Sequence, residues 1–349
     1  MAQHDMLPAE TVHDGRLGIS DVVAGSCQAD AVGPAGAEGS PQGRDSSPRP
    51  ALHTPDEPVS LKGLGKLAVV LRSMWSQGEG RFALVVLACW IVVSLASIVW
   101  TPKKLWETDG YHVWAPPSAD HLLGTDGTGA DVFSWLMAGA RTNLLIAILS
   151  VMLAGVVGVT LLMAMVSRSK MVSAISVVAV DALISIPTVL IALILAVPMG
   201  ASIAVIILAC GVGYGLNLAR IARPQALLAA GSDYAVSARA SGASGGYVLF
   251  RHVLPNSLPS IMVQLSLSAG TAILAESGLT YLGVGVPSGV PSWGHSLSTS
   301  VKLIDVYPLT VVWPGLTVTV VVVALNLFGD VLRQAIDPIV NTALRKVAA

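Results

Sequence analysis

The feature that most constrains this chain is a series of six apolar stretches, at about 82–100, 143–166, 172–197, 201–219, 257–279 and 309–330. Each runs about 19 to 26 residues, enough at ~1.5 Å of rise per residue to cross a hydrocarbon layer ~30 Å thick. A backbone in lipid must satisfy its own hydrogen bonds, so such stretches are helical. Composition agrees: 53% of the 349 residues are hydrophobic and only 12% are charged, about half the charged share of a water-soluble domain. The expected fold class is an all-α polytopic membrane protein with six transmembrane helices.

Residues 1–60 are rich in Gly, Pro, Ser and acidic groups without periodicity, and are expected to form a disordered cytoplasmic tail. Leu64, Leu67, Ala68, Leu71 and Trp75 then recur at helical spacing among Lys62, Lys66 and Arg72. That pattern predicts an interfacial amphipathic helix over 61–80, broken by Gly78 and Gly80. Residues 81–340 form the membrane domain and 341–349 a second cytoplasmic tail. The first thirty residues lack an apolar core flanked by basic residues, so insertion is expected to start from the run near Phe82. Cys27 lies in the tail, and Cys89 and Cys210 lie inside apolar runs, which suggests packing groups and no disulfide framework.

Charge sets the expected orientation. Residues 1–60 hold nine acidic and three basic side chains, whereas 61–349 hold twelve and seventeen. With an internal N-terminus, Lys62, Lys66, Arg72, Arg81, Arg168, Lys170, Arg220, Arg223, Arg239, Arg251, Arg333, Arg345 and Lys346 fall inside. Lys103, Lys104, Arg141 and Lys302 fall outside, so the excess of basic residues places both termini in the cytoplasm. The loop at about 101–142 is then external, is expected to bear short helices, and carries Trp106, Tyr111, Trp114 and Trp135 as an interfacial belt.

The internal loop, about 220–256, has legible local chemistry. Asp233 is a suitable N-cap for a short helix over about 234–241, and Gly242 a suitable residue just past its end. Ser244 can start a second helical stretch that Pro255 terminates or kinks. Ala238 and Ala240 keep the first helix shallow, so another protein can approach Tyr234 and Arg239 closely.

This segment resembles the cytoplasmic coupling motif of ATP-driven (ABC-type) importer permeases: Glu-Ala-Ala, a Gly four residues later, and Leu-Pro about a dozen further on. It falls here on Val236-Ser237-Ala238, Gly242 and Leu254-Pro255, with Val236 and Ser237 in place of the usual Glu and first Ala. A Glu at 236, three residues after Asp233, would close a capping box, so its absence is expected to fray the helix slightly. His121-Leu-Leu-Gly-Thr-Asp126, Asp131-Val-Phe-Ser134 and Gly139-Ala-Arg141 are similar to the run HxxGTDxxGRDxxSRxxxGAR of the C-type permease subunit of dipeptide, oligopeptide and nickel importers. Ala130 and Trp135 replace arginines of that run. Glu276-Ser-Gly-Leu-Thr-Tyr-Leu-Gly283, Pro291-Ser-Trp-Gly294 and Asn326-Leu-Phe-Gly-Asp330, followed by Arg333 and Asp337-Pro338, resemble the same subunit. The resemblance spans about residues 80–340. It implies a partner B-type permease subunit, two ATPase subunits that bind ATP and Mg, and an extracytoplasmic solute-binding protein. It also implies transport of short peptides by alternating access, with nickel or another small solute as the alternative.

Other signals are weaker. Gly242-Ala-Ser-Gly-Gly246 fits a hydrolase elbow pattern but lacks the strand before and the helix-on-sheet setting after it. Gly211, Gly213 and Gly215 are not followed by a phosphate-loop Lys, so ATP hydrolysis is assigned to partner subunits and the chain carries no cofactor or catalytic residue of its own. His112, His121 and His295 lie in external loops without metal-ligand spacing. The internal basic residues lack interleaved aromatics, which argues against nucleic acid. A secondary transporter would show repeats with broken helices, and no such repeat is visible. Asp181, Gln264, Glu276 and Asn326 are costly in lipid and so face other helices or a translocation path, which Pro187 would flank by kinking the third helix.

Overall fold

The computed structural model describes residues 63–336; both tails, Cys27, Lys62, Arg345, Lys346 and Asp337-Pro338 lie outside the described residues. Within them a first helix, α1 (Gly63–Ser76), precedes α2 (Gly78–Val99). A helix is present within the stretch expected to be helical, 61–80. Met74 is buried with Val70 alongside, against Val331, Leu332 and Ala335, while Leu71 and Trp75 stay exposed. The turn into α2 is tight because a Cβ on Gly80 would sit 2.1 Å from the Met74 carbonyl oxygen.

Among the described residues five helices are long and apolar enough to cross a membrane: α2, α3 (Val132–Met165), α6 (Ile203–Gly231), the continuous helix Gly245–Tyr281, and α11 (Pro308–Ile336). A sixth span is reached only if one bent pair is taken together. α4 (Lys170–Ile184) and α5 (Thr188–Met199) meet at a bend of 84°. The expected kink at Pro187 is present, as a break between two helices. Pro187 stands as N-cap of α5 with φ −57° and ψ 135°, and a proline forces the residue before it out of helical geometry.

Between α6 and the fifth span lies α7 (Asp233–Ala240), and the fifth span itself comprises α8 (Gly245–Val248), a π turn (Leu249–Val253) and α9 (Leu254–Tyr281). The expectation that Pro255 ends or kinks this helix is not met. Leu254 donates its backbone N–H to the Leu249 carbonyl, five residues back, so the chain is already in the wider π spacing when Pro255 arrives without an N–H. The Asn256 amide then bonds the His252 carbonyl at 2.6 Å. The 101–131 loop is built of turns, with one bridge between Thr125 and Asp131, and the short helices expected there are absent among the described residues. A short helix, α10 (Trp293–Ser300), lies instead in the loop after the fifth span.

The α3–α6 pair forms the centre of the bundle, and small residues bring the two backbones together. A Cβ on Gly158 would stand 2.3 Å from Leu218 Cδ2 and 2.9 Å from the Gly215 oxygen. A Cβ on Gly211 would stand 2.5 Å from Leu153 Cδ2. Lipid offers no hydrophobic drive for helix pairing, so close van der Waals contact of this kind holds the pair. Below the pair, Leu162, Met165, Leu218, Ala222 and Ala226 share one apolar cluster with Ala235, Val248 and Val253, which ties α7 and the π turn to the bundle.

Gly158→Val places two methyls against Leu218, and overpacking of this kind destabilises by about 1–3 kcal/mol. The purified protein should show a clearly lower unfolding temperature in detergent, while Gly289→Ala, which meets nothing within 4 Å, should not. Equal stability of the two variants would remove glycine packing as the basis of the α3–α6 contact.

Candidate functional site

At one end of the bundle the residues predicted to couple fall on a compact helical hairpin. Asp233 is not the N-cap. α7 starts at Asp233 and its N-cap is Ser232, whose hydroxyl bonds the Ala229 carbonyl at 2.6 Å and caps no α7 amide. Asp233 is the first helical residue, where its carboxylate still suits the positive end of the helix. Val236 becomes the fourth helical residue, so a Glu there would not sit at the capping-box position, and the fraying expected from its absence does not follow.

Gly242 is placed as expected. Its φ is +87°, the Ala243 N–H bonds the Ala238 carbonyl at 3.0 Å, and the Gly242 N–H bonds the Arg239 carbonyl at 3.0 Å. This is a Schellman ending, which needs a left-handed residue at that point. Ser244 caps the next helix by accepting from the Tyr247 N–H at 3.2 Å.

Arg239 has a role that the sequence does not announce. Its guanidinium donates to the Ala230 carbonyl in the last turn of α6, so it latches α7 to the helix before it. His252 sits between two rings, with centroids 5.9 Å from Tyr234 and 5.9 Å from Tyr247. Ala235 is buried, Ala238 and Leu254 pack on the same cluster, and Ala240 and Pro255 stay exposed. A groove of about 490 Å³ runs along Ala238, Gly242, Ser244, Tyr247 and His252. Val236, Tyr234, Tyr247 and Phe250 expose apolar surface on the same hairpin.

The residues proposed for a translocation path are found in separate places. Asp181 on α4 is half-exposed, with its carboxylate 3.6 Å from Arg220 on α6. Pro187 is exposed at the α4–α5 break. Gln264 is half-buried on α9, and Asn326 on α11 points its Oδ1 at Gly270, where a Cβ would stand 3.1 Å away.

Glu276 is fully buried. Its Oε2 accepts from Asn143 Nδ2 at 2.9 Å and its Oε1 from the Thr280 hydroxyl at 3.0 Å. Asn143 Oδ1 in turn accepts the Trp293 N–H at 3.3 Å, and Trp293 Nε1 donates to the Leu136 carbonyl at 2.9 Å. A Cβ on Gly294 would lie 2.8 Å from Glu276 Oε1, so only glycine lets α10 approach the carboxylate. The Glu276 and Pro291–Gly294 motifs thus belong to one clamp joining α3, α9 and α10. Asn143 and Trp293 complete it. The signal for Asn143 was its place at the polar edge of an apolar stretch.

His112, His121 and His295 are engaged singly. His112 Nδ1 lies 2.6 Å from Asp109 and His121 Nδ1 lies 3.0 Å from Asp131, whereas His295 packs on the Trp135 ring.

A double-mutant cycle on the clamp, Glu276→Ala with Asn143→Ala, should give a coupling energy of about 0.5–3 kcal/mol in denaturant or thermal unfolding, as for contacting buried polar groups. Simple additivity would show that the two side chains do not stabilise each other.

Comparison with known proteins agrees with this geometry. Residues 156–342 match the family described as "Binding-protein-dependent transport system inner membrane component", which covers more than half of the chain. A putative peptide permease protein of Brucella suis biovar 1 is 34% identical over 259 residues, 74% of this chain and 86% of that protein. The dipeptide transport system permease protein DppC of Alkalihalophilus pseudofirmus is 31% identical over 255 residues, 73% and 84% of the two chains. The oligopeptide transport system permease protein OppC of Bacillus subtilis is 30% identical over 282 residues, 81% and 92%. The chain therefore belongs to the family of inner membrane components of binding-protein-dependent transport systems.

Proposed function

We propose that the chain is the C-type transmembrane subunit of an ATP-driven importer that carries short peptides into the cytoplasm. The observation that carries this reading is the hairpin around α7. It is too shallow and too polar to enter lipid, it is tied to α6 through Arg239, and it runs without a break into the fifth span. A push on such an element moves two membrane helices together. The relatives named for peptide, dipeptide and oligopeptide transport support peptides as the cargo.

In this scheme the hairpin faces the cytoplasm, where two ATPase subunits press on Val236 and the groove beside Gly242. Arg168, Lys170, Arg239 and Arg251 lie at the hairpin end, and Lys103, Lys104 and Lys302 lie in the loops opposite, which supports that orientation. A B-type permease subunit covers the exposed face of α4 and α5, and the Asp181–Arg220 pair meets either that subunit or a water-filled path. A solute-binding protein delivers the peptide to the loops at the outer end. ATP binding and hydrolysis shift the bundle between two arrangements by binding one better than the other. ATP and Mg belong to the ATPase subunits.

Two measurements test this. Gly242→Val forces a β-branched residue into a left-handed conformation, at about 1 kcal/mol or more. Nothing lies within 4 Å of its Cβ, so bundle packing is untouched. In the reconstituted complex, binding-protein-stimulated ATP hydrolysis and peptide uptake should both fall sharply, while Gly242→Asn, which tolerates that conformation, should retain most of both. Full activity of a well-expressed Gly242→Val protein would end the coupling role. Separately, with Cys27, Cys89 and Cys210 replaced, an impermeant thiol reagent applied to intact cells should label Leu122→Cys and spare Ser241→Cys. The reverse pattern would invert the topology.

A further inference from the structure

The loops opposite the hairpin enclose a cavity of about 490 Å³ that the preceding account leaves unused. That size lies within the about 300–1,000 Å³ usual for small-ligand sites. Its walls are the indoles of Trp106, Trp114 and Trp135, and its polar rim holds Asp126, His295 and Lys302.

Several observations single it out. Trp114 is the one non-glycine residue with positive φ among the described residues, at +57°. Its ring stacks on Tyr307 at 5.1 Å and fills the space a Cβ on Gly127 would need, 2.5 Å away. Backbone held in such a conformation concentrates at functional sites, where surrounding contacts impose it.

The polar groups of the rim have unused bonding capacity. Asp126 Oδ1 takes three hydrogen bonds that shape its own turn, from the Thr128 N–H and hydroxyl and the Ala130 N–H. Among the described residues its Oδ2 takes none, Lys302 forms no ion pair, and neither ring nitrogen of His295 is hydrogen-bonded. Burial lowers the His295 pKa from its ordinary value, and Asp126 and Lys302 act on it in opposite directions, so both charges lie near the ring. The imidazole stays neutral near neutral pH and remains free to donate or accept.

We propose that this cavity is a receiving subsite for a short zwitterionic peptide at the outer end of the permease. Asp126 Oδ2 takes the peptide ammonium group, Lys302 takes the terminal carboxylate, and the three indoles hold one side chain. The indoles accept many side chains because apolar and stacking contact with them is not sequence-specific. The inference rests on the peptide reading above and adds a position to it.

The test uses the permease–ATPase complex in lipid nanodiscs without its binding protein, read by tryptophan fluorescence. The dipeptide Ala-Phe should shift the emission with a Kd of about 1 mM or below, and Lys302→Gln should weaken it by about tenfold or more. Lys302→Arg should restore binding. Because Lys302 is exposed on the 3-10 turn after α10, neither change should disturb folding. N-acetyl-Ala-Phe amide, which lacks both charges, should leave the emission unchanged. An Ala-Phe response that Lys302→Gln does not alter would overturn the proposal, and so would the absence of any response. Uptake of labelled Ala-Phe by the same complex with its binding protein separates the two readings. Uptake without a cavity response leaves the peptide importer standing and removes only the subsite, whereas absence of uptake removes the importer reading itself.

Discussion

Inside a lipid bilayer no water completes an unfinished hydrogen bond, and the polar groups around Glu276 are placed by that constraint. Glu276 could not be tolerated in hydrocarbon by itself, so it is held by Asn143 and Thr280 with α10 folded down upon it. Trp90 Nε1 reaches the Ala140 carbonyl at 3.2 Å, and Arg141 reaches the Ser97 carbonyl at 2.9 Å. These bonds fix α2, α3, α9 and α10 at one end of the bundle. Glycine contacts fix α3 against α6 along its length. The two devices are complementary, since one orients the helices and the other lets them close up.

With that end clamped, the proposed function has movement enter at the opposite end. The α7 hairpin rests on an apolar cluster but exposes Val236, Tyr247 and Phe250. The Arg239 latch and the continuous helix from Gly245 link it to α6 and α9. The π turn matters in this respect. It lets the helix pass through Pro255 without a break, so displacement of the hairpin reaches the membrane span directly. The chain between α4 and α5, by contrast, is broken by the 84° bend.

Much of this was legible in the residues. The six apolar stretches, the left-handed Gly242 and the cap at Ser244 all follow from local chemistry. The lengths of the helices did not. Hydropathy detects residues that face lipid, so it began the second span at 143, whereas α3 begins at Val132. The intervening Ser134 and Thr142 are polar but buried against other elements, and polarity satisfied by a partner looks like a loop when only the sequence is seen. The same blindness hid the Asn143–Glu276 bond, whose members are far apart in the chain. The cap moved from Asp233 to Ser232 for a different reason. Adjacent residues of similar capping strength cannot be ranked until the end of α6 is known.

The central claim is that the α7 hairpin is the surface on which a partner ATPase acts. It is tested most directly by placing a photoreactive benzoylphenylalanine at Val236, which is 50% exposed, and at Leu122, which is 59% exposed in the opposite loops, within the assembled complex. After irradiation, the adduct at 236 should contain the ATPase subunit and the adduct at 122 should not. An adduct at 236 containing only lipid or the other permease subunit would contradict the account.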